Sequence, residues 1–175
     1  FIQPKSDHII TSQLPQIEHS KELVNKHTYA SFFKKNFQNG PKVNNEWINY
    51  TPEEISSMNP AKKGFKGQVY ILIGGQTFSA GATFALNCKN QGIKLVGEET
   101  GGGYYLHTGG YSAIYELPHS KINILISFVK GKKNVKDETI KKGSGVIPDI
   151  EIKQTIRDLI ERRDSQLEYV LKQIN

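Results

Sequence analysis

A serine stands where an extended apolar run gives way to helical spacing. Val69-Tyr70-Ile71-Leu72-Ile73 reads as a buried strand and Gly74-Gly75 breaks it; Phe78, Ala82, Ala85 and Leu86 then fall on one face of a helix. Ser79 occupies the junction. The first turn of a helix leaves N–H groups unpaired at the positive end of the helix dipole, so a negative charge developing beside them is stabilised. The chemistry served by such a placement is nucleophilic attack by the hydroxyl. A serine at this place also serves as a plain N-terminal cap, and the local sequence leaves both readings open.

The surrounding elements must position that serine. Gly92 ends the helix and Ile93-Lys94-Leu95-Val96 forms a second strand, giving a strand–helix–strand unit for which parallel pairing is expected. Gly97 to Tyr105 follows, with three successive glycines, Gly101 to Gly103, that permit close backbone approach. This loop lacks a Walker lysine and opens no helix, which argues against a phosphate cradle. Tyr111 to Leu117 and Lys121 to Val129 read as a hairpin, Lys130 to Lys142 as an exposed loop, and Gly145 to Ile150 as a sheet edge tolerant of Pro148. Thr155 and Asp158 form a capping box for a short helix carrying Ile156, Leu159 and Ile160. Asp164 caps a last helix carrying Leu167, Val170, Leu171 and Ile174, and both helices are expected on the sheet.

Upstream, Ser20 to Phe37 reads as a helix with Leu23, Ala30, Phe33 and Phe37 on one face, stopped by Asn39-Gly40-Pro41. His27 lies near that face and reads as a packed histidine. Thr51-Pro52-Glu53-Glu54 marks another helix start, with Trp47 and Tyr50 as its apolar anchor. Asn49-Tyr50-Thr51 matches a glycosylation sequon, a pattern common by chance.

The 175 residues suffice for one domain. Residues 1–64 read as a helical and loop segment of that domain, and 65–175 as its core. The net charge of +6 comes from lysines spread along the chain, with no basic cluster interleaved with stacking aromatics, so nucleic acid is not an expected partner. No apolar run reaches the length of a membrane span. A single cysteine, Cys88, excludes an internal disulfide and a Cys-rich metal site, and it falls on the apolar side of the helix. A start at Phe1, without methionine, reads as a piece of a longer protein.

Five segments in order carry a resemblance: Thr77-Phe78-Ser79-Ala80-Gly81-Ala82 after the Gly pair, Val96-Gly97-Glu98-Glu99-Thr100-Gly101-Gly102-Gly103, Leu117-Pro118-His119-Ser120, Gly145-Val146-Ile147-Pro148-Asp149, and the helix from Asp164 to Leu171. Together they resemble peptidase family S41, the C-terminal processing (tail-specific) and tricorn-core serine peptidases, over residues 65–174. The resemblance implies an α/β fold of ClpP/crotonase type, of which this chain is the C-terminal portion of the catalytic domain. It implies Ser79 as nucleophile, the backbone N–H of Ala80 as oxyanion donor, and a peptide or unfolded protein as substrate. No metal or other cofactor is implied, and an exported bacterial location, periplasmic or cell-surface, is expected.

Two departures stand out. Processing peptidases carry a catalytic lysine in a Gly-Lys-Gly after the Gly-Glu-x-Thr segment, where this chain has Gly101-Gly102-Gly103-Tyr104-Tyr105. The Gly-rich, tricorn-like form draws its base from earlier in the chain. The Asp-Leu-Arg-x-Asn-x-Gly-Gly segment that supplies the family's other oxyanion donor has no match between Phe1 and Phe65. The base and second donor are therefore expected from an upstream half of the same domain. Inside the chain His107 is the best candidate base and Lys142 a second, although a lysine must be desolvated to act neutral. His119 reads as an exposed turn residue, and Glu98 and Glu99 as structural. Two other classes stay open: a noncatalytic peptide-binding protein on the same fold, and acyl-thioester chemistry of crotonase type, which uses the same backbone oxyanion donors.

Overall fold

Two short parallel strands and the helix between them make the scaffold that positions Ser79. β4 (Tyr70–Ile73) pairs with β5 (Lys94–Gly97) in register from Tyr70↔Lys94 to Ile73↔Gly97. α1 (Ser79–Asn90) is the crossover, as parallel pairing requires. β10 (Ile150–Glu151) adds to the far side of β5, giving the order β10-β5-β4. The computed structural model describes residues 9–11, 21–25, 31, 35, 42–43, 46–49, 63–109, 112–127, 129–133 and 135–174. Contacts divide the chain into two units, one of Phe1–Lys5, Ser56–Tyr105 and Asn134–Asn175, the other of Ser6–Ile55 and Leu106–Lys133.

In the first unit the core gathers Ile73, Ala85, Leu86, Cys88, Leu95, Tyr104 and Val146. α1 buries Ala82, Ala85, Leu86 and Cys88, and its alanines allow a close approach to the strands. The expected buried thiol is found: Cys88 is 1% exposed, and burial pushes its pKa up. The helix ends in a Schellman closure, with Gly92 N–H donating to Lys89 O at 2.9 Å and Ile93 N–H to Cys88 O at 3.0 Å. Gly92 sits at φ +80°, as that closure needs.

Asp149 ties this end of the unit together. Its carboxylate accepts from Leu95 N–H at 2.8 Å and from Lys89 Nζ at 2.9 Å, while Lys89 also donates to Ile147 O. The Gly145–Asp149 run is thereby fixed to both α1 and β5.

α2 (Ile156–Ile160) has the expected capping box: Thr155 Oγ1 accepts from Asp158 N–H, and the Asp158 carboxylate accepts from Thr155 N–H. α3 (Ser165–Ile174) begins with Asp164 accepting from Leu167 N–H at 2.9 Å. The expected packing of α2 is not found, because Ile156, Leu159 and Ile160 are all exposed. That helix has five residues and is held by its cap and by the Arg163–Asp158 pair instead of by apolar burial. α3 does meet β4 and β5, with Gln166 donating to Ile152 O, yet it buries no residue fully.

The second unit contains a sheet of order β2-β3-β1-β9-β6, built from β1 (Ile9–Thr11), β2 (Lys42–Val43), β3 (Glu46–Asn49), β6 (Leu106–His107) and β9 (Lys130–Lys132). It also contains the expected hairpin, β7 (Ser112–Glu116) antiparallel to β8 (Asn123–Ser127). Two expectations change here. Residues 130–132 are a strand, not loop, since β9 pairs with both β1 and β6. Residues 21–25 are not helical, although Ser31 and Lys35 are. Leu23 instead bridges Tyr115, and the Asn25 amide donates to Ser112 O and accepts from Ile114 N–H, each at 2.9 Å. Those non-local bonds to β7 outweigh the weak helical preference of five residues. The rest of that helix, His27, and the start at Thr51 lie outside the described residues.

The Asp149 interactions predict a pH dependence. Burial raises the carboxyl's pKa, but the Leu95 N–H bond and the Lys89 ammonium outweigh it and hold the group below the ordinary carboxylate value. A group depressed in the folded state contributes stability above its unfolded pKa of about 3.9, lost as pH falls through the folded value. Asp149→Asn is expected to lower the melting temperature at pH 7 and to flatten the loss of stability below about pH 4. Thermal melts from pH 7 to pH 2.5 or so check both.

Candidate functional site

Five residues, Gly74 to Phe78, join β4 to α1. Thr77 N–H donates to Gly74 O at 2.8 Å and Gly74 N–H donates to Thr77 Oγ1 at 3.1 Å, closing a tight turn over Gly74-Gly75-Gln76-Thr77. Phe78 is extended, with φ −117° and ψ 169°, and occupies the N-cap position without a side-chain bond. Ser79 follows at φ +48°. The capping reading of Ser79 is thus replaced, because Phe78 stands at the cap. A non-glycine residue in the left-handed region costs about 1–2 kcal/mol. Such strain clusters where a side chain must be presented in a fixed direction.

The first turn of α1 is open. Phe78 O accepts from Gly81 N–H at 2.9 Å and from Ala82 N–H at 3.3 Å, but among the described residues the N–H groups of Ser79 and Ala80 have no acceptor. Both lie at the positive end of a twelve-residue helix. Ser79 and Ala80 are exposed, and no acidic residue lies in the first turn to compete for the free donors.

The glycine loop lies directly against this turn. Gly102 N–H donates to Thr77 O at 3.0 Å. A Cβ on Gly102 would stand 2.6 Å from Ala82 Cβ and 3.3 Å from Ser79 N, and one on Gly101 would stand 2.3 Å from Gly75 O. Side chains at either position would push the loop off the turn. Behind the loop, Gly103 bridges Gly145, and Glu99 accepts from Gly145 N–H at 2.6 Å, a structural role as expected. Tyr104 is buried with its ring edge-on to Tyr105 at 4.9 Å, and Tyr105 OH donates to Ile140 O.

Ser79, Ala80, the Gly74-Gly75 turn and Gly101-Gly102 therefore come together in the first unit. His107 lies on β6 of the second unit, its imidazole packed over Gly131, where a Cβ would meet Nε2 at 2.2 Å. Lys142 is exposed in a turn beside Gly143, which has φ +93°. His119 is exposed in the β7–β8 turn. Sequence reasoning passed over Thr77 and Thr100, whose hydroxyls bond to the two glycine segments. Their signal was a threonine two residues after a Gly pair and another two residues before Gly102. No group of metal-ligating side chains occurs among the described residues, and no described helix is long and apolar enough to cross a membrane.

A hydroxyl beside two free N–H groups at a helix start can attack a carbonyl and have the resulting oxyanion held. The model of peptidase family S41 matches residues 16–152. No curated protein matches the chain. Among solved structures, the crystal structure of the tricorn protease matches at 18% sequence identity and a TM-score of 0.38. The match covers 93% of this chain, which spans 13% of that one.

The left-handed backbone at Ser79 gives an inverted substitution order. At an ordinary helical position glycine is less stable than alanine by about 0.5–1 kcal/mol. Here Ser79→Gly is expected to be the more stable variant, by about 1 kcal/mol, since only glycine takes φ +48° without strain. Urea titration of Ser79→Gly and Ser79→Ala decides it; the ordinary order would contradict the geometry.

Proposed function

The chain belongs to peptidase family S41, and from that premise we propose that it carries the nucleophile half of a serine endopeptidase site, with Ser79 as the attacking residue. The observation that carries this reading is the strained Ser79 at the head of α1 beside the free N–H of Ala80. Ser79 Oγ attacks the carbonyl carbon of a peptide bond as a general base takes the hydroxyl proton. The carbonyl oxygen becomes an oxyanion that accepts from Ala80 N–H, a type of contact worth about 10² to 10³ in rate. Collapse breaks the C–N bond, the base returns the proton to the leaving amine, and water hydrolyses the acyl ester by the same route.

The base and a second oxyanion donor come from an upstream part of the longer protein, and His107 is the candidate within this chain. The wider fold is of ClpP/crotonase type. The substrate is an unfolded protein or peptide, taken in extended form and cut in the manner of C-terminal processing peptidases, in an exported, periplasmic or cell-surface setting. Extended binding fits the exposed turn and glycine loop, since main-chain bonds tolerate many side chains.

The test uses the full-length protein and a fluorophosphonate serine probe, with the adduct located by mass spectrometry. Labelling at Ser79 is expected, together with hydrolysis of an unfolded protein that falls at least about 10⁴-fold in Ser79→Ala. Peptide binding without turnover, unchanged by Ser79→Ala, would assign the chain to the noncatalytic binding reading instead.

A further inference from the structure

We infer that Thr100 is a positioning residue whose hydroxyl keeps the oxyanion donor at Ala80, and the Ser79 N–H beside it, open by holding the Gly102 carbonyl away from them; this rests on the nucleophile reading above. Thr100 is 4% exposed and its hydroxyl both donates, to Gly102 O at 2.7 Å, and accepts, from Val146 N–H at 2.8 Å. Its own N–H donates to Val146 O at 3.1 Å. Both polar groups of Gly102 are consequently bound, the N–H to Thr77 O and the carbonyl to Thr100 Oγ1.

The need for such a clamp follows from what lies beside it. Gly101-Gly102-Gly103 is the most permissive run of backbone in the chain, and glycine readily takes alternative φ and ψ. A Cβ on Gly102 would stand 3.3 Å from Ser79 N, one of the two first-turn N–H groups that have no acceptor among the described residues. A free carbonyl beside unpaired donors at a helix start is drawn to them, since both groups gain a partner. If the Gly102 peptide turned that way, its oxygen would occupy the place of the substrate oxyanion. The Thr100 hydroxyl supplies the competing donor and is anchored through Val146 to the packed core, where Val146 is fully buried. A side chain without a hydroxyl at position 100 leaves the Gly102 carbonyl unbound and the Val146 N–H orphaned.

The experiment compares the full-length protein with Thr100→Ser, Thr100→Cys and Thr100→Val, using Ser79→Ala as the labelling control and Asp158→Ala as a fold-destabilised control whose bonds are to the Thr155 cap and Arg163 and not to the glycine segments. Fluorophosphonate labelling rate, kcat and KM are read alongside the melting temperature. Thr100→Ser is expected within threefold of the parent, about as far as a retained hydroxyl allows. Thr100→Val is expected to lower kcat and labelling by about 10–100-fold with KM within about threefold, because an oxyanion contact acts in the transition state. Thr100→Cys, a weak donor, falls between them and carries the comparison if Thr100→Val does not fold. Asp158→Ala keeps full labelling despite a lower melting temperature. Equal losses in the serine and valine variants, no loss in the valine or cysteine variant, or losses that track melting temperature through Asp158→Ala would overturn the inference. No labelling of the parent, or continued labelling of Ser79→Ala, would overturn the nucleophile reading itself.

Discussion

The parallel pairing of β4 with β5 is the constraint on which the described site depends. It places Ile73 opposite Gly97, so the turn leading to Ser79 and the loop leading to the glycines leave the sheet side by side at the carboxyl ends of their strands. Ligands of open α/β sheets bind at such ends. The pairing needs Gly97, which sits at φ +130° where a Cβ would stand 2.0 Å from Ile73 O. From there Glu98 N–H donates back to Ile73 O at 3.0 Å and Gly102 N–H reaches Thr77 O. Two loops that are far apart in the sequence thus become one surface.

That surface is exposed at Ser79, Ala80 and Phe78 and strained at Ser79, and it sits on a buried apolar layer. Ile73, Ala85, Leu86, Leu95 and Val146 are at most 3% exposed. Burial of this kind, at about 25 cal/mol per Å² of apolar area, sustains a left-handed Ser79 and unpaired first-turn donors. The division of labour suits the nucleophile proposed above, whose hydroxyl must point one way while its neighbours stay free to receive charge. The Asp149 bonds to Leu95 and Lys89 secure the opposite ends of β5 and α1, so the helix start cannot drift relative to the glycine loop without loosening that anchor as well.

Local patterns were legible in the sequence. The strand–helix–strand unit, the hairpin, the Thr155–Asp158 capping box and the buried Cys88 each follow from spacing or residue type over a few positions. What could not be read depends on distant partners. Residues 21–25 carry helical spacing but are captured by β7, and Lys130–Lys132 looks like solvated loop until β1 and β6 flank it. Ile156, Leu159 and Ile160 have the pattern of a buried face, yet a helix of five residues offers too little area to hold them against the sheet. At the site, position and residue type marked Ser79 and the three glycines. The Thr100–Gly102 bond is local, but its anchoring to Val146 and the Gly102–Thr77 bond join segments some twenty to fifty residues apart, which no local pattern encodes.

The most direct measurement is a crystal structure of the full-length protein carrying a phosphonate on its reactive serine. The phosphorus is expected on Ser79 Oγ and a phosphonyl oxygen about 3 Å from Ala80 N, with Gly102 O still on the Thr100 hydroxyl. A phosphonate attached elsewhere, or an Ala80 N–H turned away from the phosphonyl oxygen, would contradict it.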